Sequence, residues 1–282
     1  MSTVTVPTSG IADLRAGAQK SHLFSDSIVF TKRNLAHIRQ LPEKLLDVTV
    51  QPIMFVLLFA YVFGGAIAVP GSNYREYLIG GILVQSVAFG MVGPATSIAT
   101  DLQEGVIDRF RSLPSSRAAY LLGHFFAEIL GLALAITLLS GTGLLVGWRT
   151  HQDLAHVVGA FALLLAFAAA MICIGTAIGL SVRTPDAVMG VGFTIVFPMT
   201  FLSNAFVPLS TLPSVLQTIA TYNPVSIVVA ALRELFGNPA GLVTKHSWIL
   251  DHIVFTAAMW CLLLLVISIP LALRKFRLRT AD

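Results

Sequence analysis

Long stretches without a single charged side chain decide what this chain can become. Residues 48–74, 77–100, 154–182 and 187–232 contain no Asp, Glu, Lys or Arg, and 118–148 contains only Glu128. An α-helix rises about 1.5 Å per residue, so some 20 apolar residues cross a hydrocarbon layer of roughly 30 Å. Backbone amides find no water there, and a spanning segment has to bond within itself. Charged residues make up 11% of the 282-residue chain and the mean hydropathy is +0.82, where a soluble domain carries about 25% charge. The expected fold is all-α, with several membrane crossings.

Breaks inside the runs set the number of crossings. Six spans are expected: one from residue 48 to about Gly64-Gly65, then 77–100, 118–148, 154–182, 188–207 and 253–273. Gly93-Pro94 predicts a kink in the second. Prolines at 198, 208, 213 and 224 divide the uncharged run 187–232, which is too long for one crossing. Residues 208–236 are therefore expected to form short helices that dip into the membrane or lie on its surface. Gly175 and Gly179, four apart, allow close helix contact. The last span passes into a basic tail, 274–282. Cys173 and Cys261 sit inside apolar runs and read as packed thiols, and no cleavable signal peptide is expected at the start.

Ahead of the first span, residues 1–24 read as a disordered tail and 25–42 as an amphipathic helix in the membrane interface. Phe30, Leu35, Ile38 and Leu41 have helical spacing, with Lys32, Arg33 and Arg39 largely elsewhere on the wheel. Six spans put both termini on one side. Fourteen of the eighteen Lys and Arg residues then fall on that side, which the positive-inside bias assigns to the cytoplasm. The same bias accounts for the pI near 9.3, and no aromatic-and-basic stripe points to nucleic acid.

One stretch breaks the apolar pattern. Residues 101–120, DLQEGVIDRFRSLPSSRAAY, hold Arg109, Arg111, Arg117, Asp101, Glu104 and Asp108. Such a charged island between two spans reads either as a loop that sets topology or as a contact for something outside the lipid. As a contact it has suitable parts. Glu104, Asp108, Arg109 and Arg111 supply orienting charge, Phe110 a plug, Gly105 a close backbone approach, and Pro114 a helix stop.

Residues 104–117, EGVIDRFRSLPSSR, resemble the cytoplasmic motif of the ABC type-2 permease superfamily, most of all the daunorubicin-resistance type of drug-export permease. Arg33 to Arg39 with Pro42 resemble that family's amino-terminal interface helix. Asn204 to Pro208, Leu212-Pro213 and Tyr222-Asn223-Pro224 with Ala231-Leu232-Arg233 resemble its outer re-entrant region. The resemblance implies a six-helix transmembrane domain over 43–273 that works as a dimer, with itself or with a sister permease. It implies a coupling helix near 103–112 and a separate ABC ATPase subunit on the cytoplasmic side of a bacterial plasma membrane. No GxxxxGK[ST] occurs in the chain, so ATP and Mg²⁺ are expected on that partner, with no cofactor, metal or catalytic residue here. The implied function is export of a hydrophobic or amphipathic, drug-like or lipid-like compound. Export of a lipid-linked glycan by the same superfamily is one alternative, and a lipid-acting membrane enzyme is another.

Two more polar positions carry expectations. His124 and Glu128 lie four apart near the inner end of the third span, as a proton or substrate-cation site or as a helix–helix hydrogen bond. Arg233 and Glu234 read as a local ion pair or a lipid headgroup contact in the outer region.

Overall fold

The computed structural model describes residues 50, 53–63, 73–105, 117–238 and 248–279. Among them every regular element is helical. The expected amino-terminal interface helix, with Arg33 and Arg39, lies outside the described residues.

α1 (Ile53–Val62) ends in a π-helical turn, Phe59–Phe63. α2 (Tyr74–Phe89) and α3 (Val92–Gln103) follow each other almost without interruption. Then come α4 (Arg117–Val146), α5 (Leu154–Gly179) and α6 (Pro185–Phe201). A 3-10 turn (Leu209–Thr211) leads into α7 (Ser214–Tyr222) and α8 (Pro224–Phe236). A four-residue turn, α9 (Trp248–Asp251), precedes α10 (Ile253–Arg279).

Local sequence accounts for where these helices begin. Side-chain oxygens of Asn73, Asp153, Thr184 and Asn223 accept from backbone N–H groups two or three residues ahead, at 2.9–3.3 Å. Each satisfies a donor that the first helical turn leaves open. Pro185 and Pro224 occupy first helical positions, where a missing N–H costs nothing. Where a kink was expected at Gly93-Pro94, the helix is instead interrupted one turn earlier, at Gly90-Met91. Restarting at Val92 puts Pro94 in the first turn of α3, where its ring and missing donor are tolerated.

α5 is the central helix and touches α2, α3, α4, α6, α8 and α10. Between helices in lipid the attraction is close packing rather than water exclusion, so small residues matter. A Cβ on Gly175 would come within 2.2 Å of the Met91 carbonyl oxygen, and one on Gly179 within 2.4 Å of that of Ala95. The pair of glycines therefore lets α5 lie against the α2–α3 break backbone to backbone, as their spacing suggested.

The bundle has two distinguishable ends. At one, Asp101 meets Tyr120, Tyr120 stacks on Phe276, and Arg279 donates to the carbonyls of Leu180 and Val182. This basic end gathers the start of α4, the α5–α6 turn and the last turns of α10. At the far end, Arg75 donates to the Val146 carbonyl, Trp148 to Asn238, and the His151 amide to the Phe236 carbonyl. Among the described residues, four helical segments are long and apolar enough to cross a membrane: Tyr74–Gln103, Tyr120–Val146, Leu154–Gly179 and Ile253–Arg279. The α7–α8 pair, bent by 70°, makes a fifth if it counts as one span.

Candidate functional site

The basic end is where α3 hands over to the charged island. Asp101 sits in the last turn of α3 and Tyr120 in the first turns of α4, and the Tyr120 hydroxyl donates to Asp101 Oδ2 at 2.5 Å. The two residues flank the island and tie its bases together. A hydrogen bond to a carboxylate is among the stronger kind. Glu104 ends α3 with its N–H on the Thr100 carbonyl at 2.9 Å and its side chain exposed. Gly105 follows at φ 65°, a left-handed conformation that releases the chain from the helix and favours glycine.

One face of α4 continues inward from Tyr120. The Tyr120 ring lies nearly parallel to that of His124, centroids 6.4 Å apart, and to that of Phe276, 6.1 Å apart. His124 is 2% exposed, and its Nε2 has no hydrogen-bond partner among the described residues. One turn further, Glu128 reaches α3: its Oε2 is 3.7 Å from where a Cβ on Gly93 would stand. Tyr120, His124 and Glu128 thus form a polar seam against α3, beginning at Asp101.

The far end holds a second polar centre. Arg233, on α8, is completely buried. Its Nε donates to the Tyr77 carbonyl at 2.8 Å, Nη1 to that of Asn204 at 3.0 Å and Nη2 to that of Ala205 at 3.0 Å. Its guanidinium carbon lies 3.5 Å from the centre of the Tyr77 ring, within cation–π range. Tyr77 and Tyr74 donate their hydroxyls to the carbonyls of Asn204 (2.6 Å) and Phe206 (3.2 Å). Asn223 Nδ2 donates to those of Met199 (2.7 Å) and Leu202 (2.8 Å). The irregular backbone after α6 is therefore bonded by side chains, as apolar surroundings require.

This corrects the expectation for Arg233. It does not meet lipid headgroups or pair locally with Glu234, whose side chain is exposed. Helical geometry explains the split, because successive residues are turned about 100° apart and only one can face the bundle. Among the described residues no three His, Cys, Asp or Glu side chains come together to hold a metal ion.

Residues 27–236 match the family described as ABC-2 type transporter. The chain belongs to this family. It is 32% identical to a daunorubicin resistance ABC transporter permease protein of Streptomyces coeruleorubidus, over 98% of this chain and 96% of the relative. It is 26% identical to a doxorubicin resistance ABC transporter permease protein of Mycobacterium tuberculosis, over 70% of this chain and 71% of that one. A probable doxorubicin resistance permease of the same species is 27% identical over 82% and 81%.

Of the coupling residues expected in this permease, Glu104 and Gly105 are placed at the exit of α3. Asp108, Arg109, Phe110, Arg111 and Pro114 lie outside the described residues. His124 and Glu128 share one seam, as their spacing required. Sequence reasoning missed Asp101 and Tyr120 as a pair, and missed Arg233 as a buried anchor. The signal for the latter was Gly80-Gly81. A Cβ on Gly80 would sit 3.0 Å from Arg233 Cγ, and one on Gly81 only 1.9 Å from the Ala205 carbonyl oxygen.

Proposed function

We propose that this permease is the membrane subunit of an ATP-driven exporter and moves a hydrophobic or amphipathic compound out of a bacterial cell. A separate ABC ATPase subunit, binding ATP and Mg²⁺, drives it through residues 103–112. Two permease chains, identical or sisters, frame the pathway. In this reading the basic end is cytoplasmic. The four long helices together with the shorter apolar helices α1 and α6 make six crossings, and both termini lie inside. α7–α8 is the outer re-entrant hairpin: Asn223 at its bend is held by the end of α6, and Gly237 after α8 rests against His151, 3.0 Å from its Cβ to a Cβ on the glycine.

One observation carries the reading. α2 and α3 form a continuous path from the Arg233 centre to Glu104-Gly105, where the chain enters the motif EGVIDRFR. A push received at that motif is thus applied to the end of a helix already fixed in the bundle. The relatives named as daunorubicin and doxorubicin resistance permeases suggest an aromatic, amphipathic drug as cargo.

The test is co-purification with a P-loop ATPase subunit, followed by uptake of daunorubicin into inverted membrane vesicles. Uptake is expected only with both proteins, ATP and Mg²⁺. Failure to co-purify, or uptake that ignores ATP, would overturn the reading.

A further inference from the structure

We infer that Arg233 is a positioning residue for transport. It locks the α7–α8 hairpin and the bend after α6 to α2, so that the outer hairpin moves with the α2–α3 path as one body. The inference rests on the export reading above.

The argument begins with what the guanidinium joins. Three of its hydrogen bonds go to two segments distant in sequence, α2 through Tyr77 and the bend through Asn204 and Ala205, while its own backbone belongs to α8. A planar fork with five donors can satisfy several carbonyls at fixed angles; an ammonium is a compact charge on a flexible stem. The fit is also enforced from the other side. Gly80 leaves room for the Arg233 side chain, and Gly81 lets the Ala205 backbone touch α2. Ser226, two turns before Arg233 on α8, accepts from the Asn204 amide at 3.2 Å. Separating α8 from α2 would therefore break bonds to buried carbonyls that no water is at hand to replace.

The lever is long. Tyr74–Gln103 is 30 residues, about 45 Å at roughly 1.5 Å per residue. Its one interruption is filled. A Cβ on Gly90 would be 2.5 Å from Leu132 Cδ2, and the Met91 carbonyl lies against Gly175. Displacement at Glu104-Gly105 is thus carried to Tyr77, and Arg233 passes it to the hairpin. Without the fork, α2 can move while α7–α8 stays behind. ATP would then be hydrolysed without release of cargo.

The test uses the full permease with its ATPase subunit in vesicles, comparing wild type with Arg233→Gln and Arg233→Lys. Insertion and ATP hydrolysis are measured beside daunorubicin uptake. The expected result is near-normal hydrolysis with uptake per ATP reduced roughly tenfold, the size of change seen when a coupling element is disturbed. A ratio within twofold of wild type in either correctly inserted variant overturns the inference. Failure of both variants to insert assigns Arg233 to folding alone and overturns it as well.

A second readout does not depend on transport. Spin labels at Gln103→Cys and Thr218→Cys, in a background lacking Cys173 and Cys261, report the distance between the inner end of α3 and α7. One narrow distance in the wild type should broaden in Arg233→Gln. An unbroadened distribution sinks the rigid-body claim, whereas wild-type vesicles without ATP-driven uptake sink the export reading and leave this measurement standing.

Discussion

Tyr120 shows how much one hydroxyl can organise. It closes the base of the charged island on Asp101, and its ring lies nearly parallel to those of His124 and Phe276. Tyr120→Phe keeps the stacking and removes the bond, leaving a half-buried carboxylate short of a donor. A loss of about 1–2 kcal/mol is expected, discounted from the usual range because Asp101 still reaches water. Unfolding of the purified permease in mixed micelles would measure it, and an unchanged midpoint would remove the clamp from the account. Only part of this was legible beforehand. His124 and Glu128 announce themselves, because two polar residues four apart in an apolar run must share a face. The Asp101–Tyr120 contact does not, because the two residues belong to different helices and no periodicity relates them. Arg233 is harder still: three of its hydrogen bonds go to main-chain oxygens, which every residue has, and only Gly80-Gly81 hints at the space it fills.

At the scale of elements, the glycine contacts between α5 and the α2–α3 break make the sharpest claim. Gly175→Val would put atoms inside the Met91 carbonyl and should destabilise the permease by at least about 2 kcal/mol through overpacking. Gly131→Ala, on α4, meets nothing within 4 Å and should be neutral or slightly stabilising, by up to about 1 kcal/mol. The same unfolding assay compares them, and equal effects would contradict the packing. The coupling segment belongs to this scale too. Charge reversal at both Arg109 and Arg111 is expected to leave insertion intact and abolish ATP-dependent uptake, and normal uptake by a well-inserted double variant would dismiss the segment as the contact. Helix existence was legible from the apolar runs, whereas the Asn, Asp and Thr caps that start the helices emerge only from the structure. The kink was displaced because proline marks where a helix can restart as readily as where it bends.

The molecule as a whole is sorted by charge. Among the described residues, Arg183, Arg274, Lys275, Arg277 and Arg279 belong to the basic end, grouped there by contacts between α3, α4, α5 and α10. Cysteine labelling with a reagent that cannot cross membranes tests which way that end faces. Gln152→Cys, on the exposed far-end loop, should react in intact cells, and Asp186→Cys only after lysis. The reverse pattern would invert the topology and remove the ATPase from its proposed seat. α6 adds a consequence for the surrounding lipid. It presents Met189, Phe193 and Phe197 outward over only 17 residues, about 25 Å of helix against a hydrocarbon layer of roughly 30 Å, while its neighbours are far taller. If it is one of six crossings, as proposed above, it would pull the adjacent leaflets toward each other. The protein would then carry a dimple wherever it diffuses, and would be drawn toward regions of the cell envelope that are thin already.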